Sequence, residues 1–406
     1  MNSAEGLDTP TEMKAYLSTA TLLLMATATG LCAGANYFNQ PLLHSIAQSL
    51  SISEGLAATT VTLSQVAYAL GLLFLVPLGD KLEQRGLAVG LMLLATAGLL
   101  ISGYAHNFNM LVIGTLITGL FSVAAQILVP MAANLSDPAR SGRAVGLVMS
   151  GLLAGILLAR AAAGLLSEVA GWASIYRLTA LLMLLLAALL WTLLPRSRNP
   201  EPASYAATLR SLASLSAAHP RLRSRALLGG LVFGSVSVLF SSMALLLSGP
   251  AYGLNDSQIG LVGLLGISGV ITASLVGRLA DLGHGQSISC AAIVLLLLGW
   301  LGFYLGTGNL WWFLLPMLLL DIALPAVHIS NQSVIYQLAP HARARVNAVY
   351  MTGYFIGAAS GSALGAAAWS LGGWSATCAT GLALATLAAL ALWYDQQLVQ
   401  REARHA

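Results

Sequence analysis

The stretch "PRSRNPEPASYAATLRSLASLSAAHPRLRSR", residues 195–225, is the longest polar interruption in an apolar chain. It is rich in Pro, Ser and Arg, and its middle can form a short amphipathic helix on a membrane surface. On its N-terminal side lie six apolar runs, at about 17–47, 56–78, 87–105, 109–135, 143–167 and 175–194. Six more follow it, at about 226–249, 257–276, 286–306, 310–338, 346–370 and 375–394. A helix that crosses a bilayer needs roughly 20 mostly apolar residues. Barrel strands are excluded, because their alternating segments run to only about ten residues. The chain therefore reads as an all-α membrane protein of twelve transmembrane helices. An N-terminal six-helix half (1–194) and a C-terminal half (226–406) flank a cytoplasmic linker (195–225).

Composition supports this. Of 406 residues, 57% are hydrophobic and 8% charged, against about 25% charged in soluble domains. Gaps between runs are mostly too short for a soluble domain. The first residues carry Glu5, Asp8, Glu12 and Lys14, unlike the basic start of a cleaved signal peptide, and read as a short cytoplasmic tail. Cys32, Cys290 and Cys378 fall in apolar spans without metal-ligand spacing.

Of the 18 Lys and Arg, sixteen fall on the side shared by both tails, among them Arg221, Arg223 and Arg225. Arg160 lies inside a span and Arg177 at the outer end of another. Basic residues accumulate in cytoplasmic loops. The expectation is a multi-pass protein of the inner (cell) membrane with both termini cytoplasmic. The basic loops are explained by topology, so no nucleic-acid partner is expected.

The halves resemble each other. A shift of 202 residues brings Arg143 onto Arg345, Gly151 onto Gly353, Gly155 onto Gly357, and Gly171-Trp172 onto Gly373-Trp374. A shift of 198 brings Gly79 onto Gly277 and Glu83 onto Asp281. Two six-helix units of like orientation form a parallel repeat about the membrane normal, with a cavity between them near the midplane.

The loop after the second span reads "GDKLEQRG", residues 79–86, and its second-half copy "GRLADLGH", residues 277–284. Together with the repeat, these make the whole chain resemble the major facilitator superfamily, whose loop has the form Gly-x-x-x-Asp-Arg-x-Gly. Gly79, Glu83 and Gly86 match it, with Glu for Asp; Gly277 and Asp281 match in the copy. Glycines there let helix ends approach closely, and a carboxylate can accept from a neighbouring helix N-terminus. The five residues are thus expected to latch the halves in one state. "ANYFNQPLL" at 35–43 and "SNQSVIYQLAPHARARVNAVYMTGYFIGAASGSALG" at 330–365 resemble the bacterial drug:proton antiporter-like branch. Two features depart from it: Thr115 stands where many proton-coupled members carry an Arg four residues before Gly119, and Gly155-Ile156 replaces a Gly-Pro pair.

"LLLDIALPAVHISNQ", residues 318–332, places an acid, a proline and a histidine in mid-span. A charged Asp there costs on the order of 2.5–3.5 kcal/mol, so Asp321 must face a cavity or a partner, or carry its proton. Residues 321, 325, 328 and 332 share one helical face. Pro325 has no N–H for the carbonyl of Asp321, so a kink is expected. His328 lies about 10 Å further along the helix and suits a proton relay or a core hydrogen bond. Arg160 is a deep cation that wants a carboxylate, a carbonyl or an anionic ligand; Glu168 is one candidate. Asp321, His328 and Arg160 are the proton-coupling candidates, since ionisable groups inside membranes are mostly functional. The resemblance implies that spans 1, 4, 7 and 10 line the cavity, making Asn36, Tyr37, Asn39, Gln40, Gln126, Ser237, Ser241 and Gln332 substrate candidates. Glycines at 151, 155 and 164, and at 353, 357, 361 and 365, offer small faces for close packing and are expected at the contact between halves.

No nucleophile–base pair, metal-ligand cluster or phosphate loop is present, so the chain is not read as an enzyme. The expected function is secondary active transport of a small organic molecule by alternating access, with proton-coupled efflux first and metabolite uptake or facilitated diffusion second. A non-transporting scaffold or sensor is a distant alternative. The expected partners are a small-molecule substrate and the lipid bilayer, with the chain a monomer. No cofactor is expected; a proton gradient is the suspected energy source.

Overall fold

A computed structural model of the chain describes residues 17–137, 140–197, 204–306, 308–339 and 342–405, except the side chains of residues 80, 274, 281, 343, 344 and 402–405. The N-terminal acidic residues and linker residues 198–203 lie outside them.

Span 1 is broken. Helix α1 (Thr19–Gly34) stops, the chain passes through an irregular stretch ending at Pro41, and α2 (Leu43–Leu50) completes the crossing. A break at membrane depth leaves carbonyls without helical partners, which must be satisfied by protein. Asn36 does this locally: its Nδ2 reaches the carbonyls of Cys32 and Ala33 at 3.4 Å, and Ser64 Oγ donates to the Asn36 carbonyl at 3.3 Å. Span 2 is α3 (Glu54–Phe74), started by Ser53, whose Oγ accepts from the amide of Leu56. Span 3 is α4 (Gln84–Gly103), and span 4 divides into α5 (Phe108–Phe121) and α6 (Ala124–Asn134). Spans 5 and 6 are α7 (Ser141–Ala170) and α8 (Ser174–Leu193).

The linker contains α9 (Tyr205–Ala218), and its Tyr205 hydroxyl donates to the Phe74 carbonyl at 2.9 Å. The end of the bundle that carries α9 is called the linker face below, and the opposite end the far face. Span 7 is α10 (Pro220–Ser248), which opens on a proline at a first-turn position where no amide bond is lost. Span 8 runs through α11 (Asp256–Val262) and α12 (Ile267–Leu279); a capping box of Asn255 and Gln258 starts it. Spans 9 and 10 are α13 (Gly285–Leu305) and α14 (Trp311–Leu338). Helix α15 (Arg343–His405) holds spans 11 and 12, which part at Gly372 and Gly373. Gly373 has φ +58°, a conformation that only glycine adopts without strain. Twelve crossings result, as expected.

Two expectations are corrected. The linker ends earlier than residue 225: α10 already starts at Pro220, so Arg221, Arg223 and Arg225 belong to span 7 rather than to a loop. The glycine stripes mostly do not lie between the halves. Gly151 and Gly155 press on the backbone of Ala26 and Gly30 in span 1, while Gly357 and Gly361 press on Gly230 and Gly234 in span 7. A Cβ at any of these four would overlap a main-chain carbonyl. Each half thus has the same crossing, span 1 on span 5 and span 7 on span 11, within a half rather than across the seam. Gly164 is the exception, packed on Asp256 and Gly260 of span 8.

Large apolar side chains such as Leu181, Leu185 and Leu305 point outward, which suits lipid rather than water. Trp311, Trp312 and Tyr304 are exposed near the far face and Trp191, Trp393 and Tyr394 near the linker face, as two interfacial aromatic belts require.

Candidate transport site

Three hydrogen bonds tie spans 1, 2 and 5 to spans 8 and 11. Asp256 Oδ2 accepts from Ser45 Oγ at 2.5 Å and from Ser167 Oγ at 2.7 Å, and Thr62 Oγ1 lies 3.0 Å from Ser362 Oγ. All lie toward the far face, where Gly164 and Gly260 let spans 5 and 8 approach. The halves are therefore clasped at the far face. Asp256 does not stand out in the sequence, because an acid in the first turn of a helix looks like an ordinary helix start.

Below this clasp, the seam between the halves holds two charges of opposite sign. Arg160 comes from span 5 of the first half and Asp321 from span 10 of the second. They are 7% and 8% exposed. Each lies within electrostatic reach of the other, yet no ion pair joins them. Arg160 is held by neutral groups. Its Nε donates to Gln40 Oε1 at 2.7 Å, and its guanidinium carbon lies 5.1 Å from the Tyr37 ring centroid and 4.0 Å from that of Phe240. Glu168 is not its partner. Among the described residues, no group bonds to Nη1 or Nη2. Asp321 Oδ2 is buried and accepts no hydrogen bond. The main-chain carbonyl that Pro325 frees faces Gly269 of span 8, where a Cβ would come within 2.7 Å of it. Helix α14 nonetheless continues through Pro325 to Leu338, so the expected kink does not interrupt it.

The other proton-coupling candidate is elsewhere engaged. His328 Nδ1 lies 3.0 Å from the Tyr350 hydroxyl, and its ring is 4.7 Å from that of Tyr354. It belongs to an aromatic cluster of the second half, and no bond connects it to Asp321.

Of the substrate candidates, Gln40 and Tyr37 sit at the Arg160 seam. Asn36 and Asn39 are turned into the first half: Asn36 Nδ2 donates to Ser122 Oγ at 2.7 Å and Asn39 Nδ2 to Thr60 Oγ1 at 3.0 Å. With Ser64, Ser102, Thr115 and Thr118 they border a small internal pocket. Gln126 donates to the Tyr68 hydroxyl at 3.2 Å, and Gln332 to Asn347 Oδ1 at 3.2 Å. Ser241 bonds back to the Val238 carbonyl and faces Gly365 of span 11, and Ser237 is buried in span 7. A wider groove, between Gly55, Thr59, Thr62 and Leu63 of span 2 and Ala363, Ala366, Ala367 and Ser370 of span 11, contains neither charge. It is an apolar crevice at the clasp, and the charges define the site better than the groove does.

The loop expected to act as a latch bonds within the first half and to the start of the linker in this conformation. Glu83 caps α4, its Oε1 accepting from Arg85 N at 2.9 Å and its Oε2 from Gly86 N at 2.8 Å. Oε1 also accepts from Ser197 N at 3.3 Å, where the linker begins. A Cβ on Gly86 would crowd Glu83 Oε2 at 2.9 Å, whereas Gly79 has only Ile127, at 4.0 Å, and Gly277 nothing within 4 Å. Among the described residues, the close approach expected of Gly79 and Gly277 is therefore not made in this conformation. The Asp281 side chain lies outside the described residues.

A third buried charge was assigned to a loop by sequence. Arg225 is 0% exposed; its Nη2 donates to Asp395 Oδ2 at 2.5 Å and to Gln286 Oε1 at 2.6 Å, and its Nη1 to Asn331 Oδ1 at 3.2 Å. Asp395, also 0% exposed, faces Arg221 Nε at 3.8 Å through its other oxygen. The one available sequence signal was Arg221 and Arg225 at i and i+4, on one helix face.

Twelve spans, two repeated halves and a charged seam between them are the architecture of a membrane transport protein. The family model of the Major Facilitator Superfamily matches residues 25–342 and 226–405, and the chain belongs to that family. It is 45% identical over 377 residues to the "Uncharacterized transporter YgaY" of Escherichia coli O157:H7, covering 93% of this chain and 96% of that protein. It is 31% identical over 359 residues to the "Probable transporter SCO4007" of Streptomyces coelicolor, covering 88% and 83%. A "Probable sugar efflux transporter" of Helicobacter pylori (strain G27) is 26% identical over 332 residues, covering 80% and 82%. Among solved structures, a bacterial homologue of the human lysosomal transporter Spinster, inward-facing and occupied, superposes with a TM-score of 0.74 at 15% identity, over 93% of this chain and 97% of that one. That likeness is one of fold.

Proposed function

We propose that this chain is a proton-coupled secondary transporter of a small organic molecule, with Asp321 as the group that takes up and releases the proton. One observation carries this: Asp321 is a buried acid at the middle of a span, facing a cation across the seam, with Oδ2 unbonded. A structural acid at that depth is expected to be paired, as Asp395 is by Arg225, and Asp321 has no such ion pair. Alternating access would open the far-face clasp of Asp256, Ser45 and Ser167 as the linker face closes. The chain would work as a monomer in the inner membrane, with linker and termini cytoplasmic, on the strength of its basic residues. Export in exchange for protons is supported by the antiporter-like stretches and by the relatives named as sugar efflux transporters. Co-transport with protons is the second reading. Arg160 favours it, because an anion beside Arg160 and a proton on Asp321 would help each other bind.

The test is transport in proteoliposomes under an imposed pH gradient. Wild type should accumulate substrate, and the sign of the gradient that drives accumulation separates exchange from co-transport. Asp321→Asn should retain substrate exchange at equal pH and lose gradient-driven accumulation. Unchanged accumulation in that variant would make the acid an interhelical tie.

A further inference from the structure

Arg160 is built for a ligand that the protein does not supply. Its Nε is occupied by Gln40 Oε1 at 2.7 Å, which fixes the plane of the guanidinium. Two aromatic rings, Tyr37 from the first half and Phe240 from the second, flank it at 5.1 and 4.0 Å. The edge that carries Nη1 and Nη2 is left with donors that bond to no described residue. Such an edge matches the two oxygens of a carboxylate, which accepts two parallel hydrogen bonds from it. An arginine sunk in a membrane protein without an anion is costly, and among the described residues no acid, Asp321 of the other half included, forms an ion pair with it. Other ring pairs lie at or beside the seam. Tyr68 and Phe355 have ring centroids 4.6 Å apart across the seam, and Phe233 stacks on Tyr354 at 4.3 Å.

We propose that Arg160, oriented by Gln40, is the anion-binding residue for the transported molecule, and that the substrate is a small carboxylate with an apolar, ring-sized body. This rests on the seam being the substrate site, but not on proton coupling. The substrate carboxylate would take the Nη edge while its body lies against Tyr37 and Phe240. Since Tyr37, Gln40 and Arg160 belong to the first half and Phe240 to the second, the ligand would be gripped from both sides.

The experiment is equilibrium binding to the purified, full-length protein in nanodiscs, without any gradient. The probes are benzoate, phenylacetate and cinnamate, each with its neutral amide, and benzylammonium as a cation of like size. At least one carboxylate is expected to bind, and its amide to bind about ten- to a hundredfold more weakly, the loss expected for hydrogen bonds to a charged group. Arg160→Lys should weaken the carboxylate through loss of the fork, Arg160→Gln should abolish binding, and Asp321→Asn, which removes a negative charge facing the site, should strengthen it. Asp321→Asn also serves as the variant that keeps Arg160 should Arg160→Gln fail to fold. The proposal is overturned by three results: equal binding of acid and amide, binding of benzylammonium in preference to every carboxylate, or no carboxylate binding at all. Carboxylate binding without any proton-driven transport would sink the proton-coupled reading and leave this one standing. Gradient-driven transport of a neutral molecule, with no carboxylate bound, would do the reverse.

Discussion

Arg160 and Arg225 are both buried arginines, and they are treated in opposite ways. Arg225 lies inside the second half and has a carboxylate, an amide oxygen from span 9 and another from span 10 around it. Arg160 lies on the seam between halves and has one amide oxygen and two rings. As a charge pair the first arrangement is finished: removing either partner strands a charge in a low-dielectric interior. The second is open, and what it lacks is an anion. Unbonded buried polar atoms occur inside the halves as well, among them Ser102 Oγ, Thr118 Oγ1, Arg225 Nε and Asp395 Oδ1; what sets the seam apart is that its two buried charges, Arg160 and Asp321, form no ion pair. That division suits a machine of two stiff bodies that rock about a ligand.

The largest effect should come from breaking the finished pair. Arg225→Ala or Asp395→Ala should destabilise the protein by about 3–5 kcal/mol, since each leaves its partner charged and buried. Thermal unfolding in detergent should show this as a large fall in Tm for either single variant. Arg225→Met combined with Asp395→Leu should recover most of the loss. Single variants as stable as wild type would remove the contrast between the two arginines.

A smaller loss is expected at the glycine crossings. Gly155→Ala puts a methyl on the Gly30 carbonyl inside one half, and overpacking of this kind costs about 1–3 kcal/mol. Gly164→Ala presses on Asp256 across the seam, so it should cost less stability, because the halves can part, and should instead favour opening of the far face. Accessibility of a cysteine placed at Ser45 reports that opening. Equal stability losses and equal accessibility in the two variants would mean the seam is as rigid as the halves.

Arg160→Ala should scarcely lower Tm, or should raise it, because it removes a charge that the protein alone does not neutralise. Transport should be lost all the same. A fall in Tm like that of Arg225→Ala would show that Arg160 is structural glue.

The smallest effect on stability is expected at Gly79→Leu, where the nearest neighbour of a Cβ is Ile127 at 4.0 Å. If the residue matters for the opposite conformation, transport should fall while Tm holds. Wild-type transport in this variant would reduce the loop to a turn.

The contrast also explains what the sequence made legible. Asp321 and Arg160 stand out because a charge in a long apolar run has no other ready account. Gln40 was one of eight polar candidates with nothing to rank it, since its importance comes from an arginine 120 positions away. Arg225 was read as a loop residue because the apolar run was taken to begin after it. A helix that starts on Pro220 inside a polar stretch, and an acid at the end of the last span that covers the arginine, are not visible one residue at a time. Glycine spacing showed which faces are small, but not what they touch. Gly151 and Gly155 meet span 1 rather than the other half because close packing joins the helices that need no freedom to move.

The sequence by itself determined the twelve crossings, the two repeated halves and the presence of opposite charges at depth. Apolar run length and charge cost are local properties, summed along a helix axis against a bilayer of set thickness. Only the tertiary structure decided which charges are neutralised and which are left facing one another. Pairing depends on the rotation and depth of helices that are far apart in the chain, and a shift of one residue turns a helix by about 100°. That rotation sends Arg225 to Asp395 and leaves Arg160 with Gln40 and an open edge.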